Sequence, residues 1–175
     1  MENKSLRITA DTLSISRAIL GLPIIILLSY GYIFLAWILL LIGGITDAID
    51  GWCARKSGGG TILGSTIDPL SDKIMLFAPF IWLSSKAILP VWSIWILIAR
   101  ETLISGWRSK DIHGAPAKGI AKSKTLLQFT SVILILWPIK LGHNIVSNIQ
   151  YIGFVLFWLS LFLAILSAVE YLISN

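Results

Sequence analysis

Charged residues are scarce in this chain. Asp, Glu, Lys and Arg make up 13% of its 175 residues, against about 25% in soluble domains. Cysteine is nearly absent: Cys53 stands alone, which excludes an internal disulfide and any disulfide scaffold. No internal repeat and no low-complexity linker breaks the chain. No P-loop or dinucleotide fingerprint occurs. No small-residue cleavage site follows a short apolar core near the N-terminus, so the first apolar segment is expected to stay as a helix. What fills the sequence is apolar: 56% of residues are hydrophobic and the mean hydropathy is +0.84. Disorder, a coiled coil and an ordinary soluble globule are excluded. The pattern predicts an all-α, polytopic integral membrane protein with one domain over residues 1–175.

A helix needs about 20 residues to cross roughly 30 Å of hydrocarbon. Six spans are predicted, near residues 12–29, 33–55, 68–85, 88–108, 122–139 and 149–173, with Pro69 in the first turn of the third. Six spans put both termini on one side. Of the fourteen basic residues, only Lys86 and Lys140 fall on the other side, so the crowded side is expected to be cytoplasmic. The net charge of +5 is read as orientation and contact with anionic lipid rather than nucleic-acid binding. Trp82, Trp92, Trp107 and Trp137 fall near span ends, as an interfacial belt would place them.

Of nine acidic residues, four lie within 26 positions: Asp47, Asp50, Asp68 and Asp72. The spacings i, i+3 and i, i+4 put each pair on one helix face. An acid inside a span costs roughly 2.5–3.5 kcal/mol, and four neighbouring carboxylates repel one another. Divalent cations relieve both problems. Hard oxygen ligands in this number suit Mg²⁺, Mn²⁺ or Ca²⁺, and two such ions side by side clamp phosphate oxygens. The neighbours fit a phosphate: Gly51 has no side chain to obstruct a ligand, and Arg55 offers a bidentate donor. The Gly58–Gly60 run is suited to closing over a nucleotide, with Thr61 as a hydroxyl donor. Arg100, Glu101, Arg108, Lys122 and Lys124 are expected at the same membrane face, in one polar cavity, with Glu101 paired to an arginine. His113 and His143 lie far from this cluster.

The segment from Asp47 to Asp72 reads D-x2-D-G-x2-A-R-x8-G-x3-D-x3-D, with Ala54, Arg55 and Gly64 at the intervening fixed positions. It resembles the signature of the CDP-alcohol phosphatidyltransferase family at all eight fixed positions, without a gap. The resemblance implies transfer of a phosphatidyl group from CDP-diacylglycerol to an alcohol, with release of CMP. It implies that Asp47, Asp50, Asp68 and Asp72 hold two divalent ions, Mg²⁺ or Mn²⁺, and that Asp72 is the general base. It further places Gly51, Arg55, Thr61 and Gly64 on the CDP-lipid and implies a homodimer in the bilayer. The stretches around Arg100 to Arg108 and Lys122 to Gln128 look like the bacterial branch that uses glycerol 3-phosphate. Arg100, Arg108, Lys122 and Lys124 would then bind the acceptor phosphate. The expected home is a bacterial inner membrane or its equivalent, with the active site cytoplasmic.

Three departures from that branch stand out. Asp11 replaces the asparagine of its N-terminal pattern, the loop from Arg108 to Lys122 is a few residues shorter, and Ala121 stands in place of glycine. Inositol phosphate, serine and phosphatidylglycerol are the alternative acceptors. A small cation transporter is the alternative of another class. It would need polar groups through the bilayer midplane, whereas the acids here stop on one side.

Overall fold

The computed structural model describes residues 16, 19–56, 62–108, 119–139 and 142–173. Side chains are described except at 47–56, 62–72, 107–108, 119–122 and 171–173. The described residues form six helices and no strand: α1 (Ile19–Ser29), α2 (Ile33–Lys56), α3 (Ile62–Ser85), α4 (Val91–Arg108), α5 (Gly119–Ile135) and α6 (His143–Ile173). Two compact units divide the chain at Pro79/Phe80.

Several boundaries differ from the hydropathy pattern, for local reasons. Helices α3 and α6 begin six residues before the expected 68 and 149. Their first turns are polar or mixed, and hydropathy marks the apolar part of a helix, not its hydrogen-bonded start. Pro69 therefore sits in the third turn of α3, where it forfeits its own N–H bond. Helix α4 begins at Val91 rather than 88, directly after Pro90. Helix α5 runs from Gly119 to Ile135 rather than from 122 to 139. Pro138 lies just beyond, and a proline disfavours helical backbone before it.

Helices α1 and α3 close with the same cap. In α1, Gly31 takes φ +83°, Tyr32 N–H donates to Leu27 O and Gly31 N–H to Leu28 O. In α3, Ile88 N–H donates to Leu83 O and Ala87 N–H to Ser84 O. Both are Schellman motifs. Ala87 holds the left-handed position at φ 56° with a Cβ, a conformation that costs about 1–2 kcal/mol.

In the first unit, α1 approaches the α3 backbone so closely that a Cβ on Gly21 would lie 3.3 Å from Ile74 O. Gly43 of α2 meets Met75 of α3, and a Cβ there would collide with Sδ. In the second unit, α6 is the central element. Its buried face is Gly153, Phe157, Ser160, Leu161 and Ala164, at helical spacing. Phe157 packs on Phe80 with ring centroids 5.3 Å apart, and Trp158 packs on Trp92 at 5.5 Å. Trp92 is exposed, as a belt residue would be, whereas Trp82 is buried. A Cβ on Gly153 would lie 2.8 Å from Ile135 N and 2.9 Å from its Cγ1. Backbone cannot yield as a side-chain tip can. Gly153→Ala should therefore destabilise the protein by about 1–3 kcal/mol. Thermal unfolding in detergent checks this, and an unchanged midpoint would show that α5 and α6 separate freely.

Helix α6 carries a 28-residue apolar stretch, His143–Glu170, about 42 Å long, whose most apolar window has a mean hydropathy of 2.5. Only 33% of its most apolar window is buried, so its outer face is built for hydrocarbon rather than for a protein core. By length and composition it is the one described helix that meets this requirement outright; the apolar stretches of α1, α2, α3 and α5 are shorter.

Candidate active site

Helical backbone runs through both aspartate pairs. Asp47 and Asp50 lie in α2, and Asp68 and Asp72 lie in α3, so each pair shares one helical face. The contact between Gly43 and Met75 sets the register of these helices. Lys56 ends α2 and Ile62 begins α3. Each lies thirteen residues, about 20 Å of helix, from that contact. A parallel arrangement would put these ends about 40 Å apart. Six backbone steps span at most about 22 Å. The two helices are therefore antiparallel. Asp50 and Asp68 each stand seven residues from the contact, on one level. Asp47 and Asp72 stand four and three residues from it, on a second level about one turn away. The hairpin thus carries four carboxylate positions in two rungs.

Gly51 and Arg55 follow in α2 and Gly64 in α3; Arg108 ends α4 and Lys122 lies in the first turn of α5. The side chains of these residues and of the four aspartates lie outside the described residues, as does all of Thr61. Among the described residues no cluster of three or more metal-ligating side chains occurs.

The second unit holds the remaining candidates, and it brings two of them together. Glu101 of α4 is 4% exposed and Lys124 of α5 is 3% exposed. Lys124 Nζ pairs with Glu101 Oε1, and Arg100 Nη1 donates to the same oxygen at 2.8 Å. The expected pairing of Glu101 with an arginine is found, and Lys124 joins it. Arg100 also reaches α6: Nε donates to Ala164 O at 2.9 Å and Nη2 donates to Ser167 Oγ. A buried carboxylate and ammonium are tolerable together because each supplies the other's counter-charge. The guanidinium fork suits three acceptors set in different directions. One carboxylate thus ties α4 to α5, and one guanidinium ties α4 to α6.

Sequence reasoning did not find Ser167, and it named Gln128 only as the end of the stretch from Lys122, with no role. Ser160, Ala164 and Ser167 form a small-residue stripe at i, i+4, i+7 in an otherwise bulky helix, and this was the available signal. Gln128 lies one turn beyond Lys124 on α5, is 2% exposed, and among the described residues its Nε2 has no hydrogen-bond partner.

The family model for CDP-alcohol phosphatidyltransferases matches residues 7–166. A CDP-diacylglycerol–glycerol-3-phosphate 3-phosphatidyltransferase from Rickettsia bellii is 32% identical, over 91% of this chain and 90% of its own length. The enzyme of the same name from Bacillus subtilis is 30% identical, over 79% of this chain and 72% of its own. A probable cardiolipin synthase (CMP-forming) from Drosophila melanogaster is 32% identical over 60% of this chain, but over only 33% of its own length.

Proposed function

Since the chain belongs to the CDP-alcohol phosphatidyltransferase family, we propose that it transfers a phosphatidyl group from CDP-diacylglycerol to sn-glycerol 3-phosphate. The products are phosphatidylglycerophosphate and CMP, in phospholipid synthesis. One observation carries the reading. All eight signature positions fall on an antiparallel helix pair whose register sets the aspartates in two rungs. The Rickettsia and Bacillus relatives, named for this acceptor, favour glycerol 3-phosphate over inositol phosphate, serine or phosphatidylglycerol. Transport is disfavoured, because the candidate carboxylates occupy one end of a single hairpin.

In this reading the acceptor's hydroxyl oxygen attacks the phosphorus that carries the diacylglycerol. The bond from that phosphorus to the CMP oxygen breaks, and the hydroxyl proton passes to the Asp72 carboxylate. Asp47, Asp50, Asp68 and Asp72 hold two divalent cations, Mg²⁺ or Mn²⁺. When bound, these supply charge neutralisation at the pyrophosphate and at the departing CMP. Gly51, Arg55, Thr61 and Gly64 engage the CDP moiety, Arg55 through its bidentate fork. Arg100, Arg108, Lys122 and Lys124 serve the acceptor phosphate, with Glu101 holding Arg100 and Lys124 in place.

We place all six helices across the bilayer, with both termini and the active site at the cytoplasmic side, in a bacterial inner membrane or its equivalent. Helices α2 and α3 have 24 residues each, about 36 Å, and large apolar side chains such as Leu22, Phe34, Ile81, Trp95, Leu126 and Phe162 stand exposed along α1 to α6. A homodimer is carried from the family.

The test is CMP release by purified protein given CDP-diacylglycerol, Mg²⁺ or Mn²⁺, and each acceptor in turn. Glycerol 3-phosphate should support it. No CMP with any acceptor would overturn the enzyme reading, and CMP with another acceptor alone would overturn the choice of alcohol. EDTA should abolish release and added Mg²⁺ restore it. Activity that survives chelation would remove the two-ion site.

A further inference from the structure

The buried amide of Gln128 has a donor and nothing to give it to. It is 2% exposed, and among the described residues its Nε2 is without a partner, although buried donors are paired in the great majority of native structures. Its surroundings along α5 are polar. Lys124, 3% exposed, lies one turn before it on the same helical face, and Lys124 Nζ, with three donors, is bonded to Glu101. Ser131, also buried, donates its hydroxyl to the Gln128 backbone carbonyl at 2.7 Å. The Lys124 ammonium and the unsatisfied Gln128 Nε2, borne by residues about 6 Å apart along one buried helical face, are both donors. Such a pair is complete when an oxygen-rich group sits against it.

We propose that Gln128 is a specificity-determining residue that donates to a phosphate oxygen of the acceptor alcohol, beside Lys124. This rests on the acceptor reading above, in which Lys124 serves that phosphate, and it adds a neutral donor deeper in the helix. A neutral amide suits the role. It contributes a directed hydrogen bond without a further buried cation, and it discriminates against acceptors that leave it unpaired. The free protein carries the orphan donor as a standing cost, which the ligand removes.

Gln128→Met keeps the length of the side chain and removes the donor. In the absence of ligand its melting temperature should equal or exceed that of the wild type, by up to about 4 °C, because an unsatisfied buried amide is gone. The KM for glycerol 3-phosphate should rise roughly 10- to 100-fold, while the KM for CDP-diacylglycerol stays put. Gln128→Glu, of the same shape but anionic, should raise the acceptor KM further. A wild-type acceptor KM in Gln128→Met would overturn the proposal. So would a fall in melting temperature with both KM values raised, the signature of a packing role. If the wild type releases no CMP with glycerol 3-phosphate, the acceptor reading fails by itself. Gln128 is then judged by thermal protection with inorganic phosphate. Protection present in the wild type and lost in Gln128→Met supports the phosphate contact, and equal or absent protection sinks it.

Discussion

An Asp72→Asn variant should release CMP about 10²–10⁴-fold more slowly than the wild type, with CDP-diacylglycerol binding still detectable. Asparagine has the shape of aspartate but cannot accept the acceptor's proton. It also removes one of four negative charges from a helix pair that sets them in two rungs, so the fold should not suffer for its loss. Repulsion among the remaining carboxylates falls. The measurement is single-turnover CMP formation beside equilibrium binding of the CDP-lipid. Loss of turnover with binding retained separates the proton-transfer role from substrate capture. Full activity would remove Asp72 as the base, and loss of both binding and turnover would assign it to the ion site alone.

The second large effect is on stability. Replacing Glu101 with leucine should cost about 3–5 kcal/mol. The glutamate is 4% exposed and accepts from both Arg100 Nη1 and Lys124 Nζ, so its loss leaves the Lys124 ammonium buried without its counter-charge. In a chain of this length that corresponds to a fall in melting temperature of roughly 10 °C or more. The double variant Glu101→Leu/Lys124→Met should recover a large part of the loss, since removing both partners is far less costly than removing one. The cycle measures the coupling directly. A single variant within about 1 kcal/mol of the wild type would show that the pair is not desolvated. Activity should fall as well, because Arg100 and Lys124 would lose the carboxylate that orients them.

The rungs and the ion pair were legible from the sequence to different degrees. The spacing of Asp47, Asp50, Asp68 and Asp72 is covalent, and helical periodicity converts it into shared faces without further information. The same holds for the apolar character of the six helices. Their ends were less legible: hydropathy reports where hydrocarbon can sit, while a helix continues until its hydrogen bonds stop. That is why α3 and α6 start earlier than their apolar runs and why α5 stops short of Pro138.

By itself the sequence determined the membrane character, the six helices found among the described residues, the two aspartate pairs and the family. The first three follow from composition, from periodicity or from spacing along the chain, which are local quantities, and the family follows from the resemblance of the Asp47–Asp72 segment to a known signature. Only the tertiary structure decided which partners meet. Glu101 and Lys124 are 23 residues apart, and Arg100 and Ala164 are 64 apart; no periodicity selects such pairs. It set the antiparallel register of α2 and α3 through one contact, at a glycine small enough to admit Met75. It also buried Gln128 beside Lys124 with its amide unspent, a condition that depends on what neighbouring helices fail to supply. The physical reason is that burial and hydrogen-bond satisfaction are properties of packed surfaces, and those surfaces exist only after the helices have met.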